Sequence, residues 1–369
     1  MRGPLVHSQK AYIPTLDGWR GLSVIAVILY HGRFGFFGID SPLTRLTAHG
    51  DLGVEVFFAI SGFLICDLLL RELARTGDIS LRRFYLRRCF RILPAYYTAL
   101  AGICLIGFFA TVPVNYADLP SCVFFYRNWR PLGMDHQGGF YTAHFWTLAI
   151  EEHFYLIWPM VLTVVKPKRA GVTAFVLAML LIGVHDMVPS TDRILSTETR
   201  IAAILWGSLA AIYLPTIKQF AERISFSQLW LPLLVVLLVV EKLRPHELTL
   251  FRAVLLPALV VSTVIQPASV LGRVLEWWVL RWIGVLSYSL YLWQELFLPE
   301  LHAAMALGSF RHLQQWPWNL PALLACACLS RYLIERPMIR LGHRLSASLI
   351  ASPKGFPGVQ ANNHVLTFK

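Results

Sequence analysis

The chain has 369 residues, of which 56% are hydrophobic and only 15% charged, and its mean hydropathy is +0.56. Soluble domains carry about a quarter charged residues, so this composition excludes an ordinary soluble enzyme and indicates an all-α, polytopic transmembrane bundle. The formal net charge of +12 is read as membrane topology and attraction to anionic lipid head groups, with no nucleic acid as partner.

The first hydrophobic run, LDGWRGLSVIAVILYHGRF, carries Arg20 and His31 near its ends, eleven residues apart. On an α-helix that separation advances roughly 16 Å and turns about 1,100°, so both side chains point to one side. An ionisable group at lipid depth is costly and usually faces a cavity, which makes the pair the first candidate for chemistry. Asp17, one turn before Arg20, is a candidate ion-pair partner.

Further hydrophobic runs cover 51–70, 93–112, 141–165, 170–188, 199–215, 226–240, 251–266, 283–299 and 317–335. With the opening segment they make ten expected spans, most of them near the roughly 20 residues a helix needs to cross the hydrocarbon. With both termini cytoplasmic, 23 of the 33 Lys and Arg fall on the inner side, as the positive-inside rule requires. The expected organisation is one transmembrane domain over 1–345 and a flexible cytoplasmic tail over 346–369, without a cleavable signal peptide. Of the six cysteines only Cys122 falls clearly in an outward loop, so no disulfide framework is expected, and no ligand cluster points to a metal.

The most basic stretch is RELARTGDISLRRFYLRRCFR, Arg71 to Arg91. Anchoring at the inner face explains many of its arginines. Arg88 and Arg91, however, are i and i+3 and share a helix face beside a span. Two guanidinium groups there suit a polyphosphate, whose oxygens accept paired, charge-assisted hydrogen bonds. Coenzyme A fits, with phosphates at one end and a thin thioester arm at the other.

The fourth run holds His144, Glu151, Glu152 and His153 among apolar and aromatic residues. Thr147, Glu151 and Tyr155 repeat every fourth residue and form one polar stripe, which either glues helices together or serves a site. Glu55, in the second run, has the same status. Either Glu151 or Glu55 could raise the basicity of His31 and fix its tautomer.

The succession YIPTLDGWRGLSVIAVILYH, GVEVFFAISGFLI, RRCFRILPAYY, FWTLAIEEHFYLIWP and LSYSLYLWQ resembles the acyltransferase-3 family of integral membrane O-acyltransferases, over about Tyr12 to Glu335. That resemblance implies transfer of an acyl group, commonly acetyl, from cytoplasmic acyl-CoA to sugars of surface polysaccharide, lipopolysaccharide, peptidoglycan or macrolides in the inner (plasma) membrane. It implies no permanently bound cofactor. Arg20 and His31 match the family's Arg-x10-His pattern, with the histidine catalytic; Arg88 and Arg91 match Arg-x-x-Arg, associated with the donor. Thr147, Glu151 and Tyr155 match Ser-x3-Glu-x3-Tyr, with threonine keeping the hydroxyl. Tyr288, Tyr291 and Gln294 fall on the SYSLYLW-His/Gln pattern, and the glutamine argues against a second base there. The family's longer members carry an appended SGNH-type domain. This chain has no room for one, so it is expected either to complete the transfer or to hand the acyl group to a separate periplasmic transferase.

A transporter or flippase using the same buried groups is the alternative from another class. Inverted repeats or paired broken helices would be its signature and are not found in the sequence. The unrelated membrane O-acyltransferases with an Asn/His pair would place a histidine inside a late span, where this chain offers only His302 and His312 in or near a loop. Trp277, Trp278, Trp282, Trp316 and Trp318 are expected as interfacial anchors. Trp129 and the aromatics from Phe124 to Tyr126 are candidates for sugar stacking. His49, His136, His246 and His343 are expected in loops or at the surface.

Overall fold

The computed structural model describes residues 12–109, 114–130, 140–187, 197–224, 227–243, 249–299 and 308–351, and no strand occurs among them. His136, His246, His302 and the tail beyond 351 lie outside the described residues.

Helix α1 (Pro14–Phe37) starts with a proline in its first turn, where the lost N–H would have no partner anyway. It stops at Gly38, whose φ of 78° only glycine adopts cheaply. Arg20 and His31 therefore share one helix, as their spacing predicts. A short α2 (Pro42–Leu46) leads to α3 (Asp51–Thr76), closed by Gly77 at φ 77°. After three further residues the chain turns back as α4 (Leu81–Phe109). This helix begins twelve residues before the apolar run expected at 93, so Arg88 and Arg91 lie inside it. Glu72 holds the α3–α4 hairpin together, meeting Arg83 at 2.6 Å and Arg87 at 3.6 Å.

The connection after α4 folds back onto it through α5 (Leu119–Val123). Tyr96 and Tyr97, midway along α4, donate to the carbonyls of Cys122 and Val123 at 2.8 and 3.0 Å, and the buried Arg127 meets Asp118 at 3.2 Å. The fourth apolar run becomes α6 (Phe140–Ala143) and α7 (Phe145–Val164), followed by α8 (Pro167–Met187) and α9 (Thr197–Ile212). A bend of 72° separates Arg200–Ile212 from the amphipathic α10 (Leu214–Ile224), where Pro215 cannot continue the hydrogen-bond ladder. Then come α11 (Trp230–Leu243), α12 (Thr249–Ile265), α13 (Val270–Leu275) and α14 (Trp278–Phe297). The last pair is α15 (Asn319–Leu329), continued by a π-helical turn, Ser330–Glu335, and α16 (Arg336–Ala351). Helix α16 carries the chain past the boundary expected at 346.

Each of the ten apolar runs thus forms helix. Among the described residues, two stretches taken singly are long and apolar enough to cross a membrane, Pro42–Thr76 and Leu81–Phe109, and the bent α9–α10 pair makes a third. Helix α1 lies against α14 and α3, α3 packs on α9, and α9 in turn on α8 and α12. Small residues permit this closeness: a Cβ on Gly21 would lie 2.2 Å from the Leu280 carbonyl oxygen, and one on Gly284 1.8 Å from that of Asp17.

Candidate functional site

A cavity open at one side lies between α1, α3, α4, α7 and α14. Arg20 from α1 and Arg88 and Arg91 from α4 line it, as do Thr147, Glu151, Glu152 and Tyr155 from α7 and Tyr288 and Tyr291 from α14. Eight of the eleven residues singled out from sequence therefore meet in one wall. Gln294, Glu55 and His31 are not in that lining.

The cavity has a cationic end. Among the described residues none of the three arginines is within ion-pair distance of a carboxylate, whereas Arg83, Arg127, Arg200, Arg252 and Arg331 all are. Asp17 does not pair with Arg20. It accepts instead from the Tyr12 hydroxyl at 2.5 Å, which in turn accepts from Arg281 at 3.1 Å. Arg88 lies over the Tyr155 ring, 5.4 Å from its centroid. Glu151 accepts from Ser61 at 2.7 Å and Tyr155 at 3.1 Å, and Tyr155 also donates to Ser61 at 2.9 Å. Glu151 and Glu152 thus line the cavity with the arginines without forming an ion pair to them among the described residues, which leaves the guanidinium N–H groups available for charge-assisted hydrogen bonds to an incoming anion.

The hydroxyls of Thr147 and Tyr291 share a 2.7 Å hydrogen bond, and each lies 3.1 Å from the His144 carbonyl oxygen. Tyr288 donates to the Ile92 carbonyl at 3.0 Å. Beyond Thr147 and Tyr291 lie three further groups. His144 Nδ1 is 3.3 Å from Glu295 Oε2, and Glu295 Oε1 is 3.9 Å from His31 Nε2.

The carboxylate beside His31 is thus Glu295, which the sequence reading did not single out, and this corrects the expectation for Glu151 and Glu55. Glu151 faces the cavity. Glu55 is tied to Arg200 and lies 3.7 Å from Arg252, which also meets Asp51 at 3.2 Å. Two arginines already neutralise it, so it is not a group waiting for an imidazole. The available signal for Glu295 was an acidic residue in the last turn of an apolar run. Gln294 is fully buried, with both side-chain polar atoms lacking a hydrogen bond among the described residues.

Trp129 is stacked on His153 at 5.0 Å with 20° between the rings, its indole 68% exposed. His49 and His343 are exposed, as expected, and the five belt tryptophans are exposed as well. No cluster of metal-ligating side chains occurs among the described residues.

The model of the acyltransferase domain of the acyltransferase-3 type matches residues 13–336. The chain belongs to the acyltransferase-3 family. It is 29% identical, over 90% of its length, to a Bacillus subtilis (strain 168) protein named "Putative peptidoglycan O-acetyltransferase YrhL". It is 30% identical, over 78% of its length, to the peptidoglycan O-acetyltransferase OatA of Listeria monocytogenes. The matched part covers 56% and 49% of those two proteins, so the chain spans about half the length of the curated relatives it matches. No solved structure matches the chain.

Proposed function

We propose that this acyltransferase-3 chain crosses the inner (plasma) membrane ten times, with both termini cytoplasmic, and moves an acyl group, acetyl by preference, from cytoplasmic acyl-CoA to a hydroxyl of a glycan. The ten crossings are α1, α3, α4, α7, α8, α9, α11, α12, α14 and α15. Their alternation puts the basic α3–α4 hairpin on the inner side, with the amphipathic α10 and α16 along the inner surface. It puts His31 and Glu295, each in the later part of its helix, toward the outer side.

The observation that carries the reading is the set of three arginines, none with a carboxylate partner among the described residues, lining one cavity that opens between the helices. Arg20, Arg88 and Arg91 would hold the phosphates of the donor, and the pantetheine arm would run along the wall of Tyr288, Tyr155 and Glu151 toward Thr147 and Tyr291. His31 acts as general base. The acceptor O–H gives its proton to the imidazole as its oxygen bonds to the acyl carbon. The carbon–sulfur bond then breaks, and the coenzyme A thiolate takes the proton back from the imidazolium. The relatives' names make a peptidoglycan sugar the first acceptor to try. Transfer through a separate outer-side transferase is the variant in which that partner supplies the accepting hydroxyl.

The test is coenzyme A release by the purified chain supplied with acetyl-CoA and soluble peptidoglycan fragments. Wild type should release thiol and acetylate the fragments, and H31A and H31Q should do neither. H31Q within a few-fold of wild type would overturn the assignment of the base. Solute movement without thiol release would identify a transporter.

A further inference from the structure

Glu295 stands apart from the other buried carboxylates that form ion pairs. Glu55, Glu72, Asp118 and Glu335 are each held by an arginine. Glu295 is 2% exposed, and its ion-pair contacts among the described residues are two imidazoles, His144 and His31, one on each oxygen. A carboxylate this deep needs a compensating proton or cation, and among the described residues the groups within ion-pair distance that offer one are the two histidines.

The tautomers follow from the acceptors. His144 Nε2 lies 3.1 Å from the Leu292 carbonyl oxygen, which can only accept, so Nε2 carries a hydrogen. In a neutral ring that leaves a lone pair on Nδ1, facing Glu295 Oε2 at 3.3 Å. Two lone pairs in a buried site repel. At this approach neither Nδ1 of His144 nor Oε2 of Glu295 has a hydrogen-bond partner among the described residues. The other oxygen, Oε1, is 3.9 Å from His31 Nε2, about 1 Å beyond hydrogen-bond distance. When Nε2–H of His31 closes on it, the neutral ring carries its lone pair on Nδ1.

We propose that His31, Glu295 and His144 form one proton-sharing unit, in which Glu295 is the positioning residue that fixes the tautomer of His31 and balances its charge. This rests on the reading of His31 as the base, and it adds the carboxylate that answers the charge of that base. The His31 imidazole takes the acceptor's proton while the Glu295 carboxylate faces the ring. The charge that develops on the imidazolium is met by the carboxylate, whose other oxygen stays against His144. No covalent bond of Glu295 changes, and the proton returns from the imidazolium to the leaving thiolate. The pairing also assigns a use to His144, which meets Glu295 and lies beside Tyr291, with ring centroids 5.6 Å apart.

The experiment uses the full chain in lipid nanodiscs, with acetyl-CoA as donor, soluble peptidoglycan fragments as acceptor and hydrolysis by water as the background rate. E295Q keeps an oxygen for Nε2–H and loses the charge, so kcat should fall by about ten- to a hundredfold while the KM for acetyl-CoA stays within twofold. E295L, which also loses the acceptor, should fall further, and E295D should recover part of the rate. In an H31Q background E295Q should have no further effect, because residues acting as one unit are non-additive. A merely structural Glu295 would move KM and kcat together and add to H31Q. Should E295Q not fold, H144Q serves instead, with an expected fall of about tenfold in kcat. E295Q or H144Q within threefold of wild type, beside an inactive H31Q, overturns the unit and leaves the base in place. An active H31Q overturns the base itself.

Discussion

Arg200 on α9 donates to Glu55 on α3, and both side chains are nearly buried. Arg252 on α12, 3.7 Å from the same carboxylate, extends the pair to a third helix. This is a clamp, and a clamp has a signature distinct from catalysis. Removing one member of a buried pair strands the other and costs about 3–5 kcal/mol. R200L should lower the melting temperature of the purified protein markedly. E55Q, which leaves an amide among arginines, should lower it too, while kcat per folded molecule stays within a few-fold of wild type. A loss of turnover in folded E55Q as large as in H31Q would return Glu55 to the catalytic group.

The same two helices make a second, apolar lock. A Cβ on Gly62 would lie 1.9 Å from the Ile204 carbonyl oxygen, and one on Gly207 2.1 Å from that of Ala59. Both obstacles are backbone, which cannot rotate away. G62A or G207A should therefore push α3 from α9 and destabilise the protein by about 1–3 kcal/mol, the usual cost of overpacking. Thermal melting in detergent checks it; alanine at the open Gly35, which has nothing within 4 Å of its Cβ position, is the neutral control.

How far the sequence reached depends on the range of the contact. Arg20 with His31, Arg88 with Arg91, and Thr147 with Glu151 and Tyr155 are repeats within one helix, so helical periodicity alone places them on shared faces. Of these, Arg20, Arg88, Arg91, Thr147, Glu151 and Tyr155 line the cavity. The partner of His31 was hidden because the choice among Glu55, Glu151 and Glu295 depends on how α1, α3, α7 and α14 are packed. Periodicity says which way a side chain points from its own axis, not which axis lies opposite. The start of α4 was misjudged for a different reason: its first turns are amphipathic and arginine-rich, so hydropathy marks only the later part of a helix that is continuous from Leu81. The amphipathic α10 and α16 escaped in the same way.

Arg88 and Arg91 should act on donor binding more than on chemistry. A hydrogen bond to a charged group contributes about 1.5–3 kcal/mol, so R88Q and R91Q should each raise the Kd for acetyl-CoA by roughly ten- to a hundredfold. Calorimetric titration with coenzyme A reads this without any acceptor, and dephospho-coenzyme A should lose less on mutation if one arginine holds the ribose phosphate. Equal affinities for wild type and the double variant would remove both residues from the donor site.

Thr147 offers the cleanest separation of hydroxyl from bulk. Its hydroxyl meets both Tyr291 and the His144 carbonyl, so T147V keeps the shape and leaves a buried tyrosine hydroxyl with one partner fewer, at a cost of about 1–3 kcal/mol. T147S restores the hydroxyl and removes a methyl. Because the pair sits where the cavity meets His144, the loss in T147V should appear in kcat at saturating acetyl-CoA, with T147S close to wild type. Should T147S fall as far as T147V, the methyl group and not the hydrogen bond is what the site requires, and the Thr147–Tyr291 contact is packing rather than positioning.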